Sequence, residues 1–320
     1  MIPFLASIPS PSRNVIDIGP LTIHFYGIMI AIGVIVAVMV TKRRYERFGG
    51  SGETVERTSI WAVIVGFLGA RLGYVSTHTG DFLDRPWAML YIWEGGLALY
   101  GGLIAGTIAA VIVLRRSRGD VFAFGDAVAV GLPLAQVIGR LGNYFNQELF
   151  GTPSTLPWAV EIDARIAAAA GYPGYETFHP TFLYEALWNV FITVGVILLL
   201  ERRGKLFKGS SIAVYMVLYG TGRFLMELMR TDTTFRFLGL SRNGWVSAGA
   251  VLVGAALFWW MQQRQENRIL VGPPVLIAPG AETVAAMPDP DGEAPDGAVA
   301  DTATADDSAS GDESEEPPSS

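Results

Sequence analysis

Seven runs of about twenty apolar residues, separated by short polar or basic stretches, restrict this chain to one kind of environment. A helix needs roughly 20 such residues to cross the hydrocarbon core, and within lipid only helices and closed barrels satisfy their own backbone polar groups. The runs fall at about 21–41, 58–77, 95–114, 121–140, 181–200, 210–229 and 246–262. They predict an all-α integral membrane protein of seven transmembrane helices. The composition agrees: only 17% of the residues are charged, where a soluble domain carries about 25%.

The loops give the orientation. Lys42, Arg43, Arg44 and Arg47 follow the first run, Arg115, Arg116 and Arg118 the third, Arg202, Arg203, Lys205 and Lys208 the fifth, and Arg264 and Arg268 the seventh. The alternate loops carry Asp81, Asp84 and Glu94, then Glu148, Glu161, Asp163 and Glu176. Bases concentrate on the cytoplasmic side of membrane proteins. The N-terminus is therefore expected outside and the C-terminus in the cytoplasm. The first run reads as a retained helix rather than a signal peptide, because its bases follow the apolar stretch instead of preceding it.

The net charge of −7 conceals two regions. All 23 Lys and Arg lie at or before Arg268, against 18 acids, so the body is +5; the remaining 12 acids lie beyond it. Residues 1–268 are read as the seven-helix membrane domain and 269–320 as a disordered acidic cytoplasmic tail, too poor in apolar surface to offset the entropy of ordering. The segment 143–180 holds several aromatics and the strand-like Trp158-Ala-Val-Glu-Ile162. It predicts a small extracytoplasmic cap between helices 4 and 5. No internal repeat is evident, which weakens a transporter built from inverted halves.

Ionisable residues in membrane spans are costly and usually face a cavity. Here they gather toward one end. In the sixth span Tyr219, Arg223, Glu227 and Arg230, at offsets of 4, 8 and 11, share one helical face. The fourth ends in a dense polar set, Arg140, Asn143, Asn146 and Glu148, closing on Gly151; Gly139 and Gly142 are expected to flank a turn there. The second contributes Arg71, the first His24 and Tyr26, and the fifth opens on His179-Pro180 with Tyr184 and Glu185. A Gly-rich approach to the third span runs from Trp93 to Tyr100 and Gly102. The inner halves of the spans read as almost entirely apolar. Guanidinium forks match phosphate oxygens, so Arg71, Arg140, Arg223 and Arg230 predict a phosphate-bearing ligand in the outer leaflet, and phospholipid meets that description. Three histidines without paired spacing and no cysteine argue against a metal centre.

Taken together these motifs resemble the prolipoprotein diacylglyceryl transferase family. Gly139-Arg140-Leu141-Gly142-Asn143-Tyr144-Phe145-Asn146-Gln147-Glu148-Leu149-Phe150-Gly151 is similar to the family's signature. His24-Phe25-Tyr26-Gly27, the Gly69–Tyr74 stretch, the His179–Glu185 stretch and the Tyr219–Arg230 stretch match in order, over about residues 15–265. The resemblance implies a bacterial cell-membrane enzyme, with an actinobacterial cast, that moves the diacylglyceryl group of phosphatidylglycerol to the lipobox cysteine of a prolipoprotein and releases glycerol phosphate. Expected partners are phosphatidylglycerol, prolipoprotein signal peptides and membrane lipid, with no nucleic acid and no cofactor. Arg140, Arg223, Tyr26 and Tyr100 are the implied catalytic residues. Arg140, Asn143, Asn146, Glu148, Gly151, Tyr219, Glu227, Arg230 and Arg71 are the implied substrate-binding set.

One position departs from the family. Many members carry a histidine before the Gly-Gly pair of the third span, proposed as the base for the thiol; this chain has Tyr100. A tyrosine with a pKa of about 10 is a poor acceptor at neutral pH, whereas a thiol near 8.5 needs modest help. Tyr100 orienting a group, Tyr26 or His24 assisting, and no side-chain base at all remain open at this stage. The competing readings are a transporter for an anionic solute, which needs a polar path across the membrane, and a head-group enzyme facing the other leaflet.

Overall fold

The structure is a computed structural model that describes residues 7–19, 21–91, 95–230 and 236–263. The expected tail lies outside the described residues, as do Trp93 and Glu94. Seven helical spans are long and apolar enough to cross a membrane. They are α1 (Phe25–Arg47), α2 (Gly52–Thr77), α3 (Leu99–Arg116), α4 (Val121–Asn146), a composite of α6 (Thr181–Leu187), a π-helical segment (Trp188–Val194) and α7 (Gly195–Arg202), then α8 (Ser210–Met229) and α9 (Arg242–Gln263). Short strands and the small helix α5 (Ala164–Ala169) fill the connections.

Several boundaries differ from the sequence expectation, and three of them have a local structural reason. The first apolar run begins at Leu21, but Leu21–His24 forms β2, paired antiparallel with β1 (Val15–Ile18), and the helix starts at Phe25. Leu-Thr-Ile-His alternates with period two, and pairing satisfies its backbone before the chain enters α1. The third helix begins at Leu99 rather than 95, since Gly95 and Gly96 take φ of +84° and +70°. The third difference is in α4. No turn separates Gly139 from Gly142; the helix runs on to Asn146 and reverses at Gln147, in the left-handed region. Gly142 serves close packing instead, because a Cβ there would lie 2.7 Å from Cδ2 of Tyr26.

The helices meet in pairs, α1 on α4, α2 on α3 and α8 on α9, with the π-helical segment against α4 and α8. Lipid supplies little hydrophobic drive for helix association, so contact depends on close backbone approach at small residues. A Cβ on Gly69 would sit 2.7 Å from the Gly101 carbonyl oxygen, and one on Gly131 would sit 2.8 Å from that of Ala37. Between α4 and α6 the chain builds a compact cap with its own core. Val160–Glu161 (β3) pairs with Thr177–Phe178 (β4), and Phe150, Val160, Ile162, Ala167, Phe178 and Phe182 pack together.

The helix ends that carry the basic clusters extend past the apolar runs and enclose a buried group of ionisable side chains, of which Asp126 alone comes from within a run. Arg44, Asp126 and Glu201 are all buried. Arg44 donates to Glu201 Oε1 at 2.6 Å and to the Asp126 carbonyl oxygen at 3.0 Å. Gly209, the N-cap of α8, has φ +89° and no side chain to offer. Asp126 of α4 takes over that role, accepting from the backbone N–H groups of Gly209 (2.6 Å) and Ser211 (2.8 Å). Side chains four to six residues inside a span thus find partners at the end of another helix, which an analysis of each span alone does not reveal.

Removing one partner of a buried ion pair costs about 3–5 kcal/mol, whereas an exposed pair contributes about 0–1 kcal/mol. Glu201→Ala should therefore lower the stability of the detergent-solubilised protein by several-fold more than Glu56→Ala, which removes only the exposed pair with Lys42. Comparable losses in denaturant-unfolding measurements would show that the buried cluster does not hold the basic ends together.

Candidate active site

At the opposite ends of the spans a second buried polar cluster forms, centred on a carboxylate. Glu185 lies on the first turns of α6 and is only 6% exposed. It pairs with Arg140 of α4 through Oε2 and accepts from Arg223 of α8 through Oε1 at 2.9 Å. One carboxylate therefore bridges arginines from two helices. Arg223 Nη2 also lies 2.9 Å from Glu227 Oε2, one turn along α8, without the alignment of a hydrogen bond. The other oxygen of Glu227 accepts from Ser241 Oγ at 2.6 Å, tying α8 to the start of α9.

The α4 signature provides the next layer. Arg140 Nη1 donates to Asn143 Oδ1 at 3.1 Å, and Asn143 Nδ2 donates to Glu148 Oε1 at 2.7 Å. Glu148 can fold back on Asn143 because Gln147 and Leu149 both take positive φ, reversing the chain immediately after the helix. Asn146 Nδ2 lies 3.4 Å from the same carboxylate, and its Oδ1 is buried without a hydrogen-bond partner. A buried amide oxygen with no donor is costly, so such an atom marks a place where a ligand or water can supply one.

Tyr219 sits one turn before Arg223, in the electrostatic field of Arg140, Glu185, Arg223 and Tyr100. Its ring stacks on Tyr215 at 5.5 Å. Gln136 Nε2 then donates to the Tyr215 hydroxyl at 2.9 Å, and Asn189 of the π-helical segment donates to Gln136 Oε1 at 3.3 Å. A polar ladder thus underlies the two arginines. Tyr26, in the first turn of α1, packs on Gly142 within electrostatic reach of Glu148 and Arg140. Tyr100 donates its hydroxyl proton to Asn243 Oδ1 at 2.9 Å, joining α3 to α9.

Other expected site residues occupy different positions. Arg71 is buried, and its guanidinium donates to the carbonyl oxygens of Ala88, Met89 (2.9 Å), Gly95 (2.5 Å) and Gly96 (3.1 Å). It holds the connection between α2 and α3 in shape, separate from the Arg140–Glu185–Arg223 group. Gly151 forms an antiparallel bridge to Arg230 and donates to the His179 carbonyl oxygen at 2.9 Å, so it ties the cap to the end of α8 through backbone. Arg230 is buried beside it. His179 Nδ1 lies 3.1 Å from the Tyr184 hydroxyl. The residue that sequence reasoning left out of the set is Glu185. Its signal was present, directly after Tyr184 in the fifth-span motif, but a lone acid there does not show which arginines it meets.

The family model described as prolipoprotein diacylglyceryl transferase matches residues 13–260. Among proteins named phosphatidylglycerol–prolipoprotein diacylglyceryl transferase, one from Frankia casuarinae is 43% identical over 256 residues, covering 79% of this chain and 61% of the relative. The second such protein of Streptomyces coelicolor is 43% identical over 254 residues, 78% of this chain and 79% of its own length. That of Leifsonia xyli subsp. xyli is 41% identical over 311 residues, covering 91% and 92%. The chain thus spans less than two thirds of the Frankia casuarinae protein and nearly all of the Leifsonia one. The matched region contains all seven spans but for the last three residues of α9, together with every residue of the buried cluster. The chain belongs to the prolipoprotein diacylglyceryl transferase family.

Proposed function

We propose that this chain transfers the diacylglyceryl group of phosphatidylglycerol to the lipobox cysteine of a prolipoprotein, in the bacterial cell membrane, at a site facing the outer leaflet. The observation that carries the reading is the pair of arginines, Arg140 and Arg223, aligned by one buried carboxylate. The family and the relatives' names supply the reaction class. The distribution of Lys and Arg among the loops supports the orientation.

In this reaction the substrate's sulfur attacks the glyceryl carbon that bears the phosphate. A C–S bond forms, the C–O bond to phosphorus breaks, and glycerol phosphate leaves with its electron pair. The thiol proton is released to solvent or taken by the leaving phosphate. Phosphate charge rises from about −1 toward −2 as the bond breaks, so donors aimed at its oxygens act mainly in the transition state. A guanidinium has five N–H donors. Glu185 and Asn143 engage some of them and fix the planes of both forks, with Glu227 adding its charge beside Arg223, leaving the others to meet phosphate oxygens. Glu148 positions Asn143, and the unpartnered Asn146 Oδ1 is suited to accept from the glycerol hydroxyls of the head group. Tyr219 borders the arginines, and Arg230 with Gly151 closes the cap side of the site.

Tyr100 donates its proton to Asn243, so it serves here as an orienting link and not as the base. Two arginines near the sulfur favour its thiolate, which reduces the need for a side-chain base. The names of the family and of the relatives speak for transfer rather than for transport of an anionic solute.

Transfer of labelled diacylglyceryl to a lipobox peptide tests the assignment. Arg140→Ala or Arg223→Ala should each lower the rate by about 100-fold or more, the usual effect of losing a transition-state donor; unimpaired transfer in both would overturn it. Glu185→Gln should lower kcat while the protein still folds, since the amide retains the shape but not the charge that aligns the forks. Phosphatidylglycerol should be used in preference to phosphatidylcholine.

The role of Tyr100 is separable. Tyr100→Phe should retain activity within about threefold, with an unchanged pH profile, since losing one neutral hydrogen bond costs about 1 kcal/mol. A large loss with a shifted pH profile would instead assign proton transfer to Tyr100.

A further inference from the structure

A groove of about 620 Å³ lies on the faces of α2 and α3, remote from the arginine cluster. Arg57, Trp61 and Val65 line it from α2; Ala105, Ile108, Ala109, Ile112, Val113 and Arg116 line it from α3. Spacings of four on α2, and of three and four on α3, put each set on one helical face. Farther along, α2 and α3 touch backbone to backbone where Gly69 meets Gly101. Toward the basic end those glycines give way to larger residues. Ala109 is buried, while Trp61, Ile108 and Ile112 are 50%, 55% and 45% exposed.

Length and charge say what fits. From Ala105 to Arg116 a helix rises about 16 Å, close to half of the roughly 30 Å hydrocarbon core. The groove therefore spans one leaflet. Its walls are apolar except at the end beside the loops, where Arg57, Arg116 and Ser117 line it, with Arg115 and Arg118 exposed at the same end of α3. Glu53 takes one edge of Arg57 at 2.6 Å, leaving its other N–H groups, and Arg116 has no ion pair among the described residues. An apolar trough that ends in two guanidinium groups is complementary to an acyl chain carrying an anionic phosphate head group. A hydrated anion would not enter the trough, and a zwitterionic lipid would bring its own cation to the arginines.

We infer that the α2–α3 groove is a binding site for an anionic glycerophospholipid of the cytoplasmic leaflet, separate from the site of transfer. Only the leaflet rests on the orientation proposed above; the groove and its charge do not. The occupant would also shield the one-sided apolar face of this helix pair.

Photo-crosslinking in nanodiscs of the full chain tests this with site resolution. Phosphatidylglycerol and phosphatidylcholine carrying the same acyl-chain diazirine are compared, and labelled peptides are mapped by mass spectrometry. Peptides containing Trp61–Val65 and Ile108–Val113 should take label from phosphatidylglycerol about tenfold more than from phosphatidylcholine, as expected for two charge-assisted contacts. The double variant Arg57→Gln/Arg116→Gln should lose that preference while labelling near Arg140 and Arg223 persists. Ile112→Trp, which fills the trough from its exposed side, should reduce labelling by both lipids. Equal labelling by the two lipids in the unaltered protein overturns the inference. So does a preference unchanged in the double variant, or protection of these peptides by a second copy of the chain.

Discussion

The arrangement of this protein turns on a single carboxylate placed where it is costly. Glu185 is withdrawn from water and would be unstable there alone, because desolvation of a buried charge exceeds what most hydrogen bonds return. Its two oxygens are matched by Arg140 and Arg223 from different helices. Each arginine in turn is compensated by the carboxylate, Arg140 by it alone and Arg223 together with Glu227. Mutual dependence of this kind fixes the separation and angle of α4, α6 and α8 more narrowly than apolar packing in lipid could. The outcome is two guanidinium planes oriented by the protein itself.

A second buried charge group does corresponding work at the basic ends. Arg44, Glu201 and Asp126 join α1, α4, α7 and α8, and Asp126 caps a helix whose own N-cap is glycine. Between the two clusters, Asn189 and Gln136 continue a chain of polar contacts up to Tyr215 and Tyr219. The fourth, fifth and sixth spans are thus linked by polar contacts at both ends and at mid-depth, and α1 joins them at the basic end. By contrast α2 and α3 meet through glycines, and their outer face stays open. The part of the molecule tied together by buried polar contacts is the part that positions the arginines. The α2–α3 pair is held by close backbone contact, by Arg71 at the loop between them and by the link from Tyr100 to Asn243.

Much of the site was visible in the chain before any fold was known. Tyr219, Arg223, Glu227 and Arg230 share a face by arithmetic, and the Arg140–Gly151 signature is contiguous. Arg71 shows where such reading stops. It stands on a span among glycines, as an arginine for phosphate would, yet its donors are taken by four carbonyl oxygens of the following loop. Glu185 shows the converse: its partners lie 45 residues before it and 38 after it, and nothing local distinguishes it from an interfacial acid.

Hydrophobic length is a property of composition along the chain, and it determined by itself the seven spans. Helical periodicity likewise determined which side chains share a face within one helix. Tertiary structure alone decided which faces meet. It settled that α4 continues without a turn to Asn146, that Asp126 caps another helix, and that Glu185 aligns Arg140 with Arg223. The physical reason is common to all three. A buried polar group must be satisfied, and the partner that satisfies it is chosen by packing between distant segments, which leaves no periodic trace in either one.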